Sequence, residues 1–190
     1  MAHSNFPQRS SAASSGSAST SYAHDTHYVY DVFVNHRGPD CKETFATDLH
    51  KRLSGYGLRV FLDEQELQRG ENLTSQIKGA IREASVHIAV FSKNYAGSKW
   101  CLEELELMLE SKKIILPVFY DGINPSDLRW TRGDRGVYAR ALAELENKKT
   151  VGTETHPEKP RYPFDTIEKW RQALSDAADI SGFELAKYKG

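Results

Sequence analysis

Tyr28-Val-Tyr-Asp-Val-Phe-Val34 is the stretch of sequence on which the interpretation of the fold depends. Its β-branched and aromatic residues are typical of a β-strand. Further along the chain, apolar side chains recur every fourth position at Phe45, Leu49 and Leu53, which predicts one face of an amphipathic helix. A strand followed by a helix is the repeating unit of proteins built on a parallel sheet.

The alternation of strand and helix continues along the chain. Apolar runs of strand length cover residues 58–62, 86–91 and 114–120. The later helices are marked by Ile77, Ile81 and Ala84, by Leu102, Leu105 and Leu109, and by residues 137–145 and 165–181. Short apolar strands between helices favour a parallel sheet that is covered on both faces. We therefore predict a flavodoxin-like α/β fold, a doubly wound parallel sheet of about five strands flanked by helices.

One of the strand segments contains a proline. Pro117 lies inside the run Ile114-Ile-Leu-Pro-Val-Phe-Tyr120, where it cannot donate a hydrogen bond to a neighbouring strand. We therefore expect a bulge or a sheet edge at this position.

The length of 190 residues suits one domain with a tail. Residues 1–27 are rich in serine and contain too few large apolar groups to offset the entropy of ordering. We predict a disordered tail over residues 1–27, one domain over residues 28–185 and a short C-terminal tail over residues 186–190.

Charge and hydropathy disfavour two classes of partner. The formal net charge is -1, which does not favour nucleic acid. The basic stretch between Arg129 and Arg140 is interpreted as solvated surface. No apolar run approaches the roughly 18–20 residues of a membrane-spanning helix, so no membrane partner is expected.

Cysteine usage indicates the compartment. Cys41 and Cys101 fit no zinc motif and are too few for a disulfide framework, which favours a reducing compartment. The N-terminus shows no secretory signal pattern. We expect a cytoplasmic protein, with a nuclear location and organelle targeting by the N-terminal tail as alternatives.

Four loops are candidates for a ligand site, because ligands of doubly wound sheets bind beyond the carboxyl ends of the strands. They are residues 35–41, 63–73, 92–99 and 120–127. The chain has neither a Gly-x-Gly-x-x-Gly motif nor a P-loop, which argues against a Rossmann dinucleotide site and a P-loop nucleotide site. The seven histidines are scattered, so no metal site is expected.

Polar residues in the first two loops suit a charged ligand. Arg37 offers planar donors that match phosphate, and Gly38 would let a ligand approach the backbone closely. Asp63 directly follows the second strand segment, where side chains point into the ligand crevice. Each of these signals is weak alone, because such residues are common in solvated loops.

The third loop leads into a helix whose first residues carry more information. Ser98 is placed to cap that helix. Trp100 and Glu104 are four residues apart and share a helix face, whereas Glu103 points elsewhere. Two interpretations stay open. Either the helix dipole alone accounts for the acidic group, or Trp100 and Glu104 bind a flat ring and stabilise a positive centre.

Six segments, in order, resemble the plant Toll/interleukin-1 receptor (TIR) domain family. The first is Tyr30-Asp-Val-Phe-Val-Asn-His-Arg-Gly38, and the most distinctive is Ser92-Lys-Asn-Tyr-Ala-Gly-Ser-Lys-Trp-Cys-Leu-Glu-Glu-Leu105. The others are residues 61–70, 116–120, 124–129 and 169–174. The resemblance covers residues 28–185 and implies the same flavodoxin-like fold.

The resemblance implies an enzyme that cleaves NAD+ and releases nicotinamide. The expected products are ADP-ribose or cyclic ADP-ribose-type signals in plant immunity and cell death, formed on self-association or association with other TIR domains. NAD+, with NADP+ as a second candidate, is then a substrate, and no cofactor is expected. Glu104 is the implied catalytic residue, and the implied substrate-binding residues are His36, Arg37, Gly38, Asp63, Ser98 and Trp100. The alternative is a non-enzymatic adaptor that binds other TIR domains.

The chain departs from the common family pattern at several positions, of which Pro39 and Cys41 are two. Thr47-Asp48 stands where Ser-His is frequent, Arg135 stands where an aromatic residue is usual, and His36 stands where phenylalanine is usual. We expect these changes to alter the surfaces of self-association and, at His36, the orientation of the substrate.

Overall fold

The fold is a five-stranded parallel sheet covered by helices. The computed structural model describes residues 30–62, 75–129, 136–152 and 159–188. The strands are β1 (Val32–His36), β2 (Val60–Leu62), β3 (Val86–Phe91), β4 (Ile114–Phe119) and β5 (Phe183–Glu184). They lie in the order β2-β1-β3-β4-β5, and every neighbouring pair is parallel. This sheet confirms the predicted flavodoxin-like architecture.

Seven α-helices lie in the described ranges, and several short helical turns accompany them. The helices are α1 (Gly38–Cys41), α2 (Thr47–Gly55), α3 (Ser75–Glu83), α4 (Lys99–Glu110), α5 (Pro125–Leu128), α6 (Val137–Asn147) and α7 (Phe164–Ala178). A π-helical turn covers Lys42–Ala46, and 3-10 turns cover Tyr95–Gly97 and Leu185–Tyr188. No helix within these ranges is long and apolar enough to cross a membrane.

The two faces of the sheet carry cores of different size. The larger core lies between the sheet and α3, α4, α6 and α7, and it includes Phe33, Leu105 and Trp170. The smaller core includes Val34 and Ile88 and packs against α2. Right-handed crossovers produce this division, because the chain moves to one side of β1 to form β2 and to the other side to form the remaining strands.

The chain between β1 and α2 is helical almost from the end of the strand. α1 begins at Gly38, and Pro39 occupies its first turn, where the missing N–H of proline is tolerated. The π-helical turn Lys42–Ala46 then joins α1 to α2. π-Helical turns are rare and are frequent at functional sites. The first candidate loop is therefore short and held between two regular elements.

Pro117 lies in an inner strand of the sheet. In β4, Pro117 pairs with Ala89 of β3, whereas β5 pairs only with Val118 and Phe119. The expectation of an edge is therefore wrong for β4 as a whole. Within the described residues, however, Pro117 has no ladder partner on the β5 side, which accommodates a residue that lacks an N–H. Gly182 fits beside it, since an added Cβ would lie 2.5 Å from the Pro117 carbonyl oxygen.

Several predicted features fall outside the described residues. These are the tail over residues 1–27, the second candidate loop over residues 63–73, and Arg135.

Candidate active site

Glu104 lies beyond the first turn of α4, and its side chain is buried with only 3% of the residue exposed. Ser98 is the N-cap of α4, and its Oγ accepts a hydrogen bond of 3.4 Å from the backbone N–H of Cys101. The predicted cap is therefore confirmed. The stabilisation of acids by the helix dipole falls off within the first turn of a helix, and Glu104 lies beyond that turn. The dipole alone consequently does not account for a buried carboxylate at Glu104.

A buried hydrogen-bond network holds the Glu104 carboxylate. Asn35, at the fourth position of β1, donates from Nδ2 to Glu104 Oε2 over 2.9 Å and lies 3.4 Å from the carbonyl oxygen of Cys101. The hydroxyl of Tyr95 donates to Asn35 Oδ1. A buried charge is tolerated only when it is paired or hydrogen-bonded. The network therefore explains how the carboxylate is accommodated in the interior.

Tyr95 is fixed by aromatic contacts on both sides. Its ring lies 4.8 Å from the ring of Phe91, edge to face, and 6.4 Å from the ring of Tyr138, nearly parallel. The Tyr138 hydroxyl donates to the carbonyl oxygen of Ser92 over 2.7 Å. Burial, together with the neighbouring Cys101 and Glu104, raises the pKa of Tyr95 well above its usual value. The Tyr95 hydroxyl therefore keeps its proton and remains a donor.

Asp40 connects the first candidate loop to the third. Its Oδ2 accepts hydrogen bonds from Ser92 Oγ over 2.7 Å and from the backbone N–H of Asn94 over 2.9 Å. Its Oδ1 accepts a bond from Asn94 Nδ2 over 3.1 Å and lies 3.5 Å from Arg37 Nε. Burial raises the pKa of Asp40, but these hydrogen bonds and the Arg37 charge outweigh burial and leave the pKa below its usual value. Asp40 is therefore ionised, and its hydrogen bonds hold the two loops together.

A polar cavity of about 260 Å³ opens at the carboxyl ends of β1, β3 and β4. Its lining residues are Pro39, Asp40, Ser92, Lys93, Asn94, Tyr120 and Asp121. On one side Thr44 Oγ1 and the Tyr120 hydroxyl lie 3.0 Å apart. Three of the four predicted loops therefore meet at this end of the sheet, as the rule for doubly wound sheets requires.

The other predicted residues near β1 lie at the same end of the sheet. His36 is the buried last residue of β1, and its carbonyl oxygen accepts a bond from Cys101 Sγ over 3.5 Å. Arg37 is the N-cap of α1 and Gly38 is its first residue. Asp63 lies outside the described residues, so its predicted place beside the ligand stays a prediction.

Trp100 is half-buried in the first turn of α4. The ammonium group of Lys99 lies 4.0 Å from the centroid of its ring. The face of an indole ring attracts cations because of its quadrupole, so this contact marks a face that accepts positive charge.

Metal ligands do not cluster in the described part of the chain, where no group of three or more His, Cys, Asp or Glu residues could hold an ion. Both cysteines are buried as free thiols. Cys41 Sγ lies 3.6 Å from the Arg37 carbonyl oxygen, a distance that fits a thiol donor, and Cys101 donates to His36. Small buried residues with local hydrogen bonds are the interpretation that fits these contacts.

The sequence interpretation missed Asn35 and Asp40 as site residues. A signal for Asn35 was present, because it directly continues the apolar run of β1 and must be buried with that run. A buried amide requires partners, and polar partners deep in a protein often mark a specified site. For Asp40 the sequence holds no comparable signal, because its partners Ser92 and Asn94 lie more than fifty positions away.

A known protein family and a solved structure are similar to this chain. The sequence profile described as the TIR domain matches residues 29–190. Among solved structures, the TIR domains of the activated Roq1 resistosome superpose with a TM-score of 0.69 and 38% sequence identity, over 85% of this chain and 91% of that chain.

Two curated plant proteins are similar in sequence. The probable 2' cyclic ADP-D-ribose synthase BdTIR of Brachypodium distachyon is 50% identical over 99 residues, which is 52% of this chain and 44% of that protein. The TMV resistance protein N of Nicotiana glutinosa is 34% identical over 159 residues, which is 82% of this chain and 13% of that protein. The match thus spans less than half the length of either relative.

Proposed function

Because the chain belongs to the TIR domain family, we propose that it cleaves NAD+ between nicotinamide and ribose and forms ADP-ribose or a cyclic ADP-ribose as a signal in plant immunity and cell death. The observation that carries the proposal is the buried Glu104 carboxylate, which accepts a hydrogen bond from Asn35. The similarity to a relative named as a probable 2' cyclic ADP-D-ribose synthase supports the same class of reaction.

The chemistry of NAD+ cleavage suits a buried carboxylate. The nicotinamide of NAD+ is positively charged, so it leaves as a neutral molecule with the electron pair of the C1′–N bond and needs no general acid. The ribose then acquires oxocarbenium character, as in glycoside cleavage. In a site shielded from water, a fixed negative group stabilises this developing charge more strongly than it would in bulk solvent. We assign that role to Glu104.

The two product classes differ only in the nucleophile that follows. Water attacking C1′ gives ADP-ribose and releases a proton to solvent. A nucleophilic atom of the same ADP-ribose unit attacking C1′ gives a cyclic product instead, and a hydroxyl that attacks in this way releases its proton to solvent. Both outcomes need the same loss of nicotinamide, so both depend on Glu104.

Substrate binding is assigned to residues around this carboxylate. Trp100 would stack the nicotinamide ring, and the Lys99 ammonium over its face is a local precedent for a bound cation. Arg37 would pair with the diphosphate, and the backbone at Gly38 would allow its close approach. The remaining substrate-binding residues in the proposal are His36, Ser98 and Asp63.

We further propose that activity depends on self-association or on association with other TIR domains. The solved relative with 38% identity is named as an activated resistosome, which supports an assembled active form. NADP+ is the second substrate to be compared with NAD+.

Nicotinamide release from NAD+ by the purified protein tests the proposal, measured at several protein concentrations. We expect specific activity to rise with concentration, and Glu104→Gln to abolish turnover without lowering the melting temperature. Glu110→Gln is the matched control, because Glu110 is an exposed acid at the end of the same helix. If folded protein released no nicotinamide at any concentration, the adaptor function would replace the enzymatic one.

A further inference from the structure

We propose that Asn35 is a positioning residue for the reaction, and that it fixes the Glu104 carboxylate through a hydrogen bond from its side-chain amide, whose oxygen in turn accepts from Tyr95. This inference rests on the proposed cleavage of NAD+. It concerns a residue of β1 that acts through Glu104.

The geometry gives Asn35 one orientation. Its Nδ2 faces two acceptors, Glu104 Oε2 at 2.9 Å and the Cys101 carbonyl oxygen at 3.4 Å. Its Oδ1 faces the hydroxyl of Tyr95, which donates to it. If the amide were rotated by half a turn, its oxygen would face a carboxylate and a carbonyl, and two acceptors cannot bond to each other. The network therefore defines which end of the amide meets Glu104.

The contact joins two elements that are independently rigid. Asn35 lies in β1, which is paired on both sides by β2 and β3, and only 1% of the residue is exposed. Glu104 lies on α4, 69 positions later in the sequence. A sheet residue that holds a helix residue fixes the carboxylate in a direction that α4 alone does not determine. Catalytic groups need placement within about 0.5 Å, which such a supporting contact supplies.

The amide is chemically matched to this task. A neutral N–H donor stabilises a carboxylate without cancelling its charge, whereas a cation would weaken the stabilisation of a positive transition state. An apolar residue at position 35 would leave the buried carboxylate without this donor. A second carboxylate there would repel Glu104, and close acid pairs share one proton because both cannot easily ionise.

The pH dependence of kcat for Asn35→Asp is the decisive measurement. In this variant a protonated Asp at position 35 can still donate to Glu104, but its ionised form cannot. We expect kcat to fall by about 10- to 100-fold on the alkaline side. The loss should become smaller as the pH falls and the acid pair takes up its shared proton. KM should stay within about twofold, because the change acts on the reacting centre rather than on binding.

Two further variants separate positioning from a general effect on structure. Asn147→Asp makes the same chemical change at an exposed position on α6, where Nδ2 bonds only locally to the Ala143 carbonyl oxygen, and it should keep the wild-type pH profile. Tyr95→Phe keeps the ring contacts and removes the hydroxyl that donates to the amide oxygen of Asn35 and lies 3.1 Å from the Cys101 carbonyl oxygen. It should lower kcat by a smaller factor than Asn35→Asp, and it tests the proposal even if Asn35→Asp does not fold.

An NMR titration of carbon-13-labelled glutamate side chains makes the test independent of turnover. The Glu104 signal is identified by its loss in Glu104→Gln. We expect the Asn35→Asp protein to show two coupled ionisations where the wild type shows one. Absence of nicotinamide release by the wild type would refute the proposed function, while the titration would still decide whether Asn35 controls the carboxylate. An unchanged Glu104 titration, or an equal loss of kcat at every pH, would overturn the role of Asn35.

Discussion

The two faces of the sheet differ in how completely they are covered. On one face, α3, α4, α6 and α7 enclose a large core in which Glu104 and its partners are buried. On the other face, α2 covers a smaller core, and an open apolar groove of about 370 Å³ lies beside it. The groove is lined by Phe45, Leu49, Ile88, Leu116, Val118, Phe183, Leu185 and Tyr188.

This difference in coverage shows on which face of the sheet the fold can accommodate a buried charge. A carboxylate in the interior needs donors that stay in place, and tightly packed neighbours keep them there. The enclosed face supplies such neighbours in Tyr95 and Tyr138. The open face is lined by side chains that remain partly in contact with water, so it is expected to contribute less to stability.

Matched leucine deletions on the two faces should give the largest contrast. Leu102 of α4 is fully buried, whereas Leu49 of α2 is half-buried at the groove. We expect Leu102→Ala to lower the free energy of unfolding by about 2–5 kcal/mol and Leu49→Ala to lower it by clearly less. Urea denaturation measures both values. Equal losses would contradict the unequal contribution of the two faces.

On the enclosed face, His87 should make the stability of the protein depend on pH. This histidine is 0% exposed, and its Nε2 lies 2.8 Å from the carbonyl oxygen of Ile81. Burial lowers the pKa of His87, the hydrogen bond to Ile81 opposes that shift, and the nearby Lys113 adds to it. The unfolded chain therefore takes up this proton more readily than the folded protein.

Stability should consequently be complete above the unfolded histidine pKa of about 6.5 and decline as the pH falls below it. His87→Gln should reduce this decline, measured by urea denaturation between neutral and mildly acidic pH. His50→Gln serves as the control because His50 lies on α2, outside the enclosed core. If the control removed the decline and His87→Gln did not, the assignment to His87 would be wrong.

A smaller effect on stability is expected at Asp40, which joins the first and third candidate loops. Asp40→Asn removes the charge that Ser92, Asn94 and Arg37 stabilise. We expect a loss of about 1–2 kcal/mol at neutral pH and a several-fold loss of nicotinamide release. Since the pKa of Asp40 lies below its usual value, its contribution should persist above pH of about 3.9 and disappear in stronger acid.

The comparison for this variant is Asp176→Asn, an exposed acid on α7 whose bond to Gln172 is local. It should leave stability and activity unchanged. If the two variants behaved equally in denaturation and turnover, Asp40 would have no role in holding the site together.

The smallest effect on the free energy of unfolding is expected for a substitution on the open face. Phe183 is 50% exposed at the groove. Phe183→Ser should change the free energy of unfolding by only about 0.5 kcal/mol. The same change should reduce binding of a fluorescent apolar dye, which measures exposed apolar surface. A large loss of stability would show that the groove is a closed part of the core.

Local patterns in the sequence predict much of the fold. The spacing of Leu102 and Leu105 identifies a buried helix face, and Ser98 identifies the start of that helix, since both signals act within a few residues. The same helix brings Trp100 and Glu104 to one end of the sheet. The predicted edge at Pro117 fails because strand order depends on β5, which is only two residues long.

The network behind Glu104 could not be predicted in the same way. Asn35 and Glu104 are 69 positions apart, and the sequence does not state which side chains of β1 and α4 will meet. Asp40 likewise finds its partners only when β1 and β3 become neighbours. Contacts between side chains that are distant in sequence form only when the helices and the sheet pack together. Local periodicity in the sequence therefore does not predict them.

The cap at Ser98 also sets how the chain can vary in length. Residues inserted between Tyr95 and Ser98 would change the distance along the chain between the Tyr95 hydroxyl, which donates to Asn35, and the start of α4. One residue inserted between Ser98 and Glu104 would rotate the carboxylate by about 100° around the helix axis and carry it away from Asn35. Descendants of this sequence must therefore keep the number of residues between Tyr95 and Glu104.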